Sequence, residues 1–115
     1  MSNPFKVIAI SLLPNSSWKD FFWKNTPTPN NMVLFESGRV AQYFLLKALG
    51  IGQGDEVIIQ AFTCVAVPNS IIWTGAKPIY VDIDESLNMD PKKLEKLINK
   101  KTKAVIWQST FGNFI

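Results

Sequence analysis

The chain has 115 residues, of which 47% are hydrophobic and 18% are charged, and its net charge is only +3. This composition supplies enough apolar side chains for one globular core and excludes intrinsic disorder. Histidine is absent and there is one cysteine, which excludes histidine triads, histidine metal sites and an intrachain disulfide. No segment approaches the length that spans a bilayer. We therefore expect a cytoplasmic protein of one domain at most, with no membrane association.

The N-terminal third has no clean period, and we expect residues 1–32 to form an N-terminal arm. The apolar run at residues 7–13 is barely long enough for a signal peptide and lacks a suitable cleavage site, which favours an arm or strand. Residues 16–23 can form a short amphipathic helix, which the Pro- and Asn-rich loop at residues 27–31 would end. Residues 33–35 are predicted to form a brief strand.

From Ser37 onward, helices and strands alternate. The first helix follows Ser37 and is expected to end at Gly50. A glycine-flanked turn leads into an apolar strand at residues 57–59. A second helix is predicted at residues 67–73, with Pro68 in its first turn. The apolar residues that recur at helical spacing in the first helix are Val40, Ala41, Phe44, Leu45, Ala48 and Leu49.

The second half of the chain continues the alternation. Strands are predicted at residues 77–83 and 103–108, and the helix between them begins with Asp90 as N-cap and Pro91 as first helical residue. The buried stripe of this helix is predicted to consist of Leu94, Leu97 and Ile98. Near-continuous apolar strands between helices predict an α/β fold, with a mainly parallel sheet covered by helices on both faces.

The start of the first helix, Ser37-Gly38-Arg39, is a candidate anion site. A helix start offers unpaired N–H groups and the positive end of the helix dipole. Gly38 lets an anion approach the backbone closely, and the Arg39 side chain can add a charge-assisted hydrogen bond. The alternative is ordinary N-capping by Ser37 with Arg39 in solvent. These three residues alone favour ordinary capping.

The loop at residues 61–66 is a second candidate, because α/β proteins place ligands after the carboxyl ends of parallel strands. Its Cys64, taken alone, is interpreted as a small buried side chain. With no histidine to activate the thiol, we assign Cys64 no catalytic role.

Charged residues give two further hypotheses. Asp82 and Asp84 lie two residues apart and can bind a metal or transfer protons, but we favour a polar strand exit and a cap. The lysine-rich stretch at residues 92–103 has no interleaved aromatic residue. It is therefore interpreted as a solvated helix face rather than a nucleic-acid site.

The order and spacing of these segments over residues 34–112 resemble the opening of the cofactor domain in the DegT/DnrJ/EryC1/StrS aminotransferases. The residues that carry the resemblance are Ser37-Gly38-Arg39, the loop at 61–66, Val81 to Asp84, and Gln108 to Gly112. Members of that family are fold-type I enzymes of pyridoxal 5′-phosphate (PLP) that mostly aminate keto sugars on nucleotide carriers. The resemblance implies that residues 33–115 form the N-terminal part of a PLP-binding domain.

The resemblance also implies roles for individual residues. The backbone N–H groups of Gly38 and Arg39 would hold the PLP phosphate, although Arg39 replaces the usual threonine. Cys64 stands where a generally aromatic side chain covers the cofactor ring. Ser109 stands where a histidine is frequent.

The family's catalytic lysine, and the acid that pairs with the cofactor nitrogen, would lie past Ile115. We therefore expect an N-terminal fragment with no catalytic residue of its own, inactive alone and binding PLP weakly or not at all. The full-length protein would act as a homodimer on a nucleotide-linked sugar and an amino donor, as an aminotransferase or as one of the family's dehydratases.

Two alternatives stay open. A small non-enzymatic α/β module that binds phosphorylated ligands or a partner chain fits the same pattern of helices and strands. A flavodoxin-like or nucleotide-binding domain is the other, but the chain has neither a Gly-x-Gly-x-x-Gly motif nor a Walker lysine motif. Four Trp and eight Phe are many aromatic residues for a chain of this length, and the core of a small domain cannot bury them all. The exposed rings either form a partner surface or are exposed by chance.

Overall fold

The fold is described from a computed structural model, over residues 6–10 and 35–113. The short helix predicted at residues 16–23, the loop at 27–31 and most of the strand predicted at 33–35 lie outside these residues. The described part contains four strands: β1 (Lys6–Ile10), β2 (Glu56–Gln60), β3 (Lys77–Val81) and β4 (Thr102–Gln108). They form one sheet in the order β1-β4-β2-β3, with every neighbouring pair parallel. The predicted parallel sheet is confirmed.

Three helices connect and cover the strands: α1 (Gly38–Ala48), α2 (Ala66–Trp73) and α3 (Pro91–Leu97). Their bounds agree with the predicted helices to within about one residue, apart from the end of α3. Gly50 ends α1 in the left-handed conformation (φ 75°), which glycine adopts without steric cost. No helix in the described part of the chain is long and apolar enough to cross a membrane.

Alternate residues of β2 and β4 bury on opposite faces of the sheet, because successive side chains of a strand point in opposite directions. On one face, Leu46 of α1 and Ile71 of α2 pack with Val57 and Ile59 of β2. On the other face, α3 covers a second core, formed by Ile58, Val81, Met89 and Val105 with the partly buried Leu94 and Leu97. Helices therefore cover both faces, as the sequence predicts.

Two predicted stripes are partly wrong. In α1 the buried residues are Gln42 and Leu46, whereas Phe44 is 50% and Leu45 is 43% exposed. In α3, Leu94 and Leu97 pack on the core, but Ile98 is 37% exposed. The cause in α3 is that the helix ends at Leu97 and Ile98 adopts an extended conformation (ψ 127°), which turns its side chain away from the stripe.

Strand β3 ends at Val81, two residues before the predicted end. Beyond Val81 the chain turns back on itself, because Ile83 forms an antiparallel bridge with Met89 and Asp90 N donates to Asp82 O at 3.1 Å. These bonds to the β3–α3 loop replace pairing with the sheet.

Candidate functional site

The loops that leave β2 and β4 are joined by Gln60, the last residue of β2. Its Nε2 donates to the carbonyl oxygen of Phe62 at 2.7 Å and to Oγ1 of Thr110 at 2.8 Å. A second bond runs alongside, since Thr63 Oγ1 donates to Gln108 Oε1 at 2.6 Å. The two loops are therefore held side by side at the carboxyl edge of the sheet.

Asn88 joins the loop that follows β3 to the same edge. Its Oδ1 accepts from Thr110 N at 2.8 Å, and its Nδ2 donates to Asn113 O at 3.2 Å. Asn113 in turn donates from Nδ2 to Ser86 O at 3.3 Å. We call the side chains of Gln60, Asn88 and Thr110 the edge network. Within the described residues, Oε1 of Gln60 is buried without a hydrogen-bond partner.

The start of α1 offers two backbone N–H groups that have no hydrogen-bond partner among the described residues. Ser37 is its N-cap, with Oγ accepting from Val40 N at 3.3 Å, and the first helical bond runs from Ala41 N to Ser37 O. The N–H groups of Gly38 and Arg39 precede that bond and have no partner within the helix. The first turn contains no acidic residue. These donors fit a phosphate group.

Gln42 shows that the start of α1 lies toward the carboxyl edge. Its buried Nε2 donates to Val67 O at 3.0 Å and also to Ser70 Oγ. Val67 belongs to the first turn of α2, which follows the carboxyl end of β2 by a short loop. The N-terminal halves of α1 and α2 therefore lie next to each other, on the side of the sheet where parallel α/β folds bind ligands.

The Arg39 side chain lies over a tryptophan ring at the surface. Its guanidinium carbon lies 5.7 Å from the centre of the Trp73 ring, a cation–π contact at the surface. Its role in phosphate binding stays a prediction.

Cys64 is exposed, so its interpretation as a buried small side chain is wrong. It lies in the loop between β2 and α2, where its carbonyl oxygen accepts from Val67 N at 3.2 Å. The loop lies outside the core because the chain turns here from the end of β2 into the start of α2. The thiol is free to contact a ligand, and its predicted position over a cofactor ring remains a prediction.

Asp82 and Asp84 act locally, in agreement with the favoured interpretation. Lys93 Nζ lies 3.0 Å from Asp82 Oδ2, and the hydrogen bond that it donates lowers the pKa of Asp82. Asp84 Oδ1 accepts from Ser86 N at 2.8 Å and from its hydroxyl, and this side-chain bond lowers the pKa of Asp84. Residues 6–10 and 35–113 contain no group of three acidic, cysteine or histidine side chains that can hold a metal.

The edge network is the part of the site that the sequence did not predict. One local sign was present, because the apolar strands β2 and β4 both end in glutamine, at Gln60 and Gln108. A buried amide at a strand end requires hydrogen-bond partners. Nothing in the local pattern shows which loops supply them.

The structure defines an α/β fold in which the start of a helix lies beside the carboxyl ends of parallel strands. Comparison with known families agrees. The DegT/DnrJ/EryC1/StrS aminotransferase family matches residues 28–115, and the chain belongs to this family.

Individual relatives are identical to this chain at close to half of the aligned positions. The chain is 47% identical over 77 residues to the UDP-2-acetamido-2-deoxy-3-oxo-D-glucuronate aminotransferase of Pseudomonas aeruginosa, covering 66% of this chain and 21% of that protein. It is 49% identical over 75 residues to the spore coat polysaccharide biosynthesis protein SpsC of Bacillus subtilis, covering 64% of this chain and 19% of that protein. The chain thus spans about a fifth of the length of these curated relatives.

Solved structures confirm the predicted fold class. A candidate sugar aminotransferase of Streptococcus pneumoniae, solved in its PLP form, superposes with a TM-score of 0.57 at 40% identity. The match covers 58% of this chain and 17% of that one. The described sheet and helices are therefore similar to part of a PLP-dependent aminotransferase fold.

Proposed function

We propose that this chain is the N-terminal part of a PLP-dependent aminotransferase that acts on nucleotide-linked keto sugars. The observation that carries the proposal is the family match over residues 28–115, joined to a helix start with free N–H donors on the carboxyl side of the sheet. In this proposal, residues 1–32 are an N-terminal arm and residues 33–115 belong to the PLP-binding domain. The catalytic lysine and the acid that pairs with the cofactor nitrogen belong to segments beyond these residues. The chain alone does not transaminate.

The similarity to an aminotransferase of a UDP-linked keto sugar supports a nucleotide-linked sugar as the substrate, with an amino donor as second substrate. Exposed aromatic side chains on α1 and α2, Phe44 and Trp73 among them, are consistent with a homodimer. An exposed free thiol at Cys64 suits a reducing compartment, and we place the protein in the cytoplasm.

PLP supplies an electron sink for chemistry at the carbon that carries the amino group. The task of this chain is to bind and orient that cofactor. The N–H groups of Gly38 and Arg39 donate to the phosphate, and the α1 dipole adds a favourable field. Arg39 remains stacked on Trp73 and contributes positive potential from there. Cys64 covers one face of the ring with less contact area than an aromatic side chain has.

The first test is the DNA sequence that follows codon 115. The expected result is a continuation that encodes an aspartate and a lysine in family context. With PLP, the completed protein should show an absorbance band at a longer wavelength than that of the free cofactor. A stop codon with no such sequence downstream would contradict the enzyme proposal and favour the small phosphate-binding module.

The second test concerns the cofactor residues of this chain. Pyridoxamine 5′-phosphate is the probe, because it lacks the aldehyde that reacts with surface lysines. At millimolar concentration it should slow the alkylation of Cys64 by iodoacetamide, and pyridoxamine without phosphate should not. Gly38→Asp should abolish the protection, since a carboxylate repels phosphate at a helix start while still stabilising the helix. Equal protection by both compounds would exclude the phosphate site.

A further inference from the structure

Phe111 is the most exposed large hydrophobic residue in the described part of the chain, at 83%. It lies in the short turn Thr110–Gly112 that follows β4, and its backbone is left-handed (φ 53°, ψ 24°). That region disfavours side chains other than glycine, asparagine and aspartate. An exposed aromatic ring in a strained conformation contributes little to the fold.

The edge network imposes this conformation. Thr110 is held from both its backbone N–H and its hydroxyl, by Asn88 and Gln60 respectively. Asn88 is 0% and Gln60 is 1% exposed, so the turn rests on buried, fixed amides. Asn113, on the far side of Phe111, is bonded to Asn88 and to Ser86 O. Hydrogen bonds therefore fix the residues on both sides of Phe111 and leave its ring exposed.

The position of the turn places Phe111 beside the candidate cofactor loop. Gln60 donates to Phe62 O as well as to Thr110, and Thr63 is bonded to Gln108 at the end of β4. The loop that carries Cys64 and the turn that carries Phe111 are therefore tied together at two points. Oε1 of Gln60, which has no partner among the described residues, lies at the same junction, and a buried acceptor without a partner calls for an explanation.

Other exposed aromatic rings are placed differently. Phe44 stacks on Phe35 with ring centres 5.4 Å apart, and Trp73 contacts Tyr43 and Arg39. These rings lie on the outer surface of α1 and α2. Among the described residues, the aromatic pairs do not include Phe111. A ring at the carboxyl edge without an aromatic partner suits a planar ligand.

We propose that Phe111 forms a wall of the ligand site and stacks on the planar ring of a phosphorylated ligand. This inference rests on the proposed function, because it requires a phosphate held at the start of α1. Two sources share the chemistry, namely the pyridine ring of the cofactor and the base of the nucleotide-linked substrate. Stacking places ring centres about 4.5–7 Å apart and strengthens binding beyond simple burial.

The test is an NMR titration of the 115-residue chain with pyridoxamine 5′-phosphate in one arm and UDP in the other. The amide signals of Gly38 and Arg39 report phosphate binding, and the Phe111 ring signals report stacking. Phe111→Leu should weaken one of the two ligands by about fivefold, because it keeps an apolar side chain but removes the ring. Phe111→Tyr should bind as the unchanged chain does. Phe44→Leu is the matched control and should change neither affinity.

The outcomes separate the two proposals. Weakening in the pyridoxamine phosphate arm assigns the cofactor ring to Phe111, and weakening in the UDP arm assigns the nucleotide base. If either ligand shifts Gly38 and Arg39 while Phe111→Leu binds equally well, the stacking wall is wrong and the phosphate site stands. If millimolar concentrations of both ligands shift no amide, either in the 115-residue chain or in the protein completed by the sequence downstream of codon 115, the stacking wall and the cofactor site are both wrong.

Discussion

Replacing Asn88 by alanine should strongly destabilise the carboxyl edge of the sheet. Asn88 is fully buried and bonds two backbone groups that come from beyond β4, Thr110 N at 2.8 Å and Asn113 O at 3.2 Å. Thr110 is also buried, so its N–H would lose its partner without gaining water.

The magnitude follows from these two bonds. A buried N–H left without an acceptor costs about 1–3 kcal/mol, and the loss of an ordinary hydrogen bond costs about 0.5–1.5 kcal/mol. We therefore expect Asn88→Ala to lower the free energy of unfolding by about 2–4 kcal/mol, a large fraction of the stability of a small domain.

Urea denaturation measures the global loss, and amide hydrogen exchange at Thr110 measures the local one. The amide hydrogen-exchange rate of Thr110 should rise by at least the factor that corresponds to the measured loss in the free energy of unfolding. Asn69→Ala is a suitable control, because Asn69 lies in α2 and is only half-buried, and alanine is the better helix former. A loss below about 0.5 kcal/mol with unchanged Thr110 exchange would refute the edge network as a structural support.

Three further predictions concern the core, the α1 start and an ion pair. Ile58→Ala should cost about 2–5 kcal/mol by opening a cavity under α3, whereas Ile72→Ala, at an exposed position, should cost far less in the same urea titration. Ser37→Ala should lower stability by about 1 kcal/mol, since Val40 N loses its capping acceptor. The hydrogen bond from Lys93 lowers the pKa of Asp82, so its stabilisation is present above the ordinary carboxyl pKa of about 3.9 and is lost as the pH falls through the folded value. The unfolding temperature of Asp82→Asn should therefore differ slightly from that of the unchanged chain at neutral pH and match it in acid. A difference in unfolding temperature that widens in acid would contradict this assignment.

Local patterns predicted the elements of the fold, but not which face of α1 is buried. Spacing placed Phe44 and Leu45 in the apolar stripe, and both are exposed, while the polar Gln42 is buried. The reason is tertiary, because Gln42 bonds Val67 O and Ser70, which lie 25 and 28 residues away. A glutamine is buried within an apolar stripe only when a neighbouring helix supplies hydrogen-bond acceptors for its side-chain amide. Periodicity within one helix carries no information about such acceptors.

The same argument explains the candidate site. The N–H donors at Gly38 and Arg39 belong to one helix start, so they can be located from the local sequence. Their role in holding a phosphate is implied only by the resemblance over residues 34–112 and stays a prediction. The edge network joins residues that are 22 to 50 positions apart, and strand pairing alone brings them together. The local sequence therefore indicates the helix-start donors, whereas the support of Phe111 required the structure.

The direction of the strand connections explains why all these residues meet at one edge. From β2 the chain crosses to α2, on the face that α1 also covers, and from β3 it crosses to α3 on the opposite face. Loops that leave neighbouring strands toward opposite faces open a crevice between them. Gln60 ends the strand on one side of that crevice, and Asn88 lies in the loop on its other side. Because both bond Thr110, the edge network ties the loops on the two sides together at the carboxyl edge of the sheet.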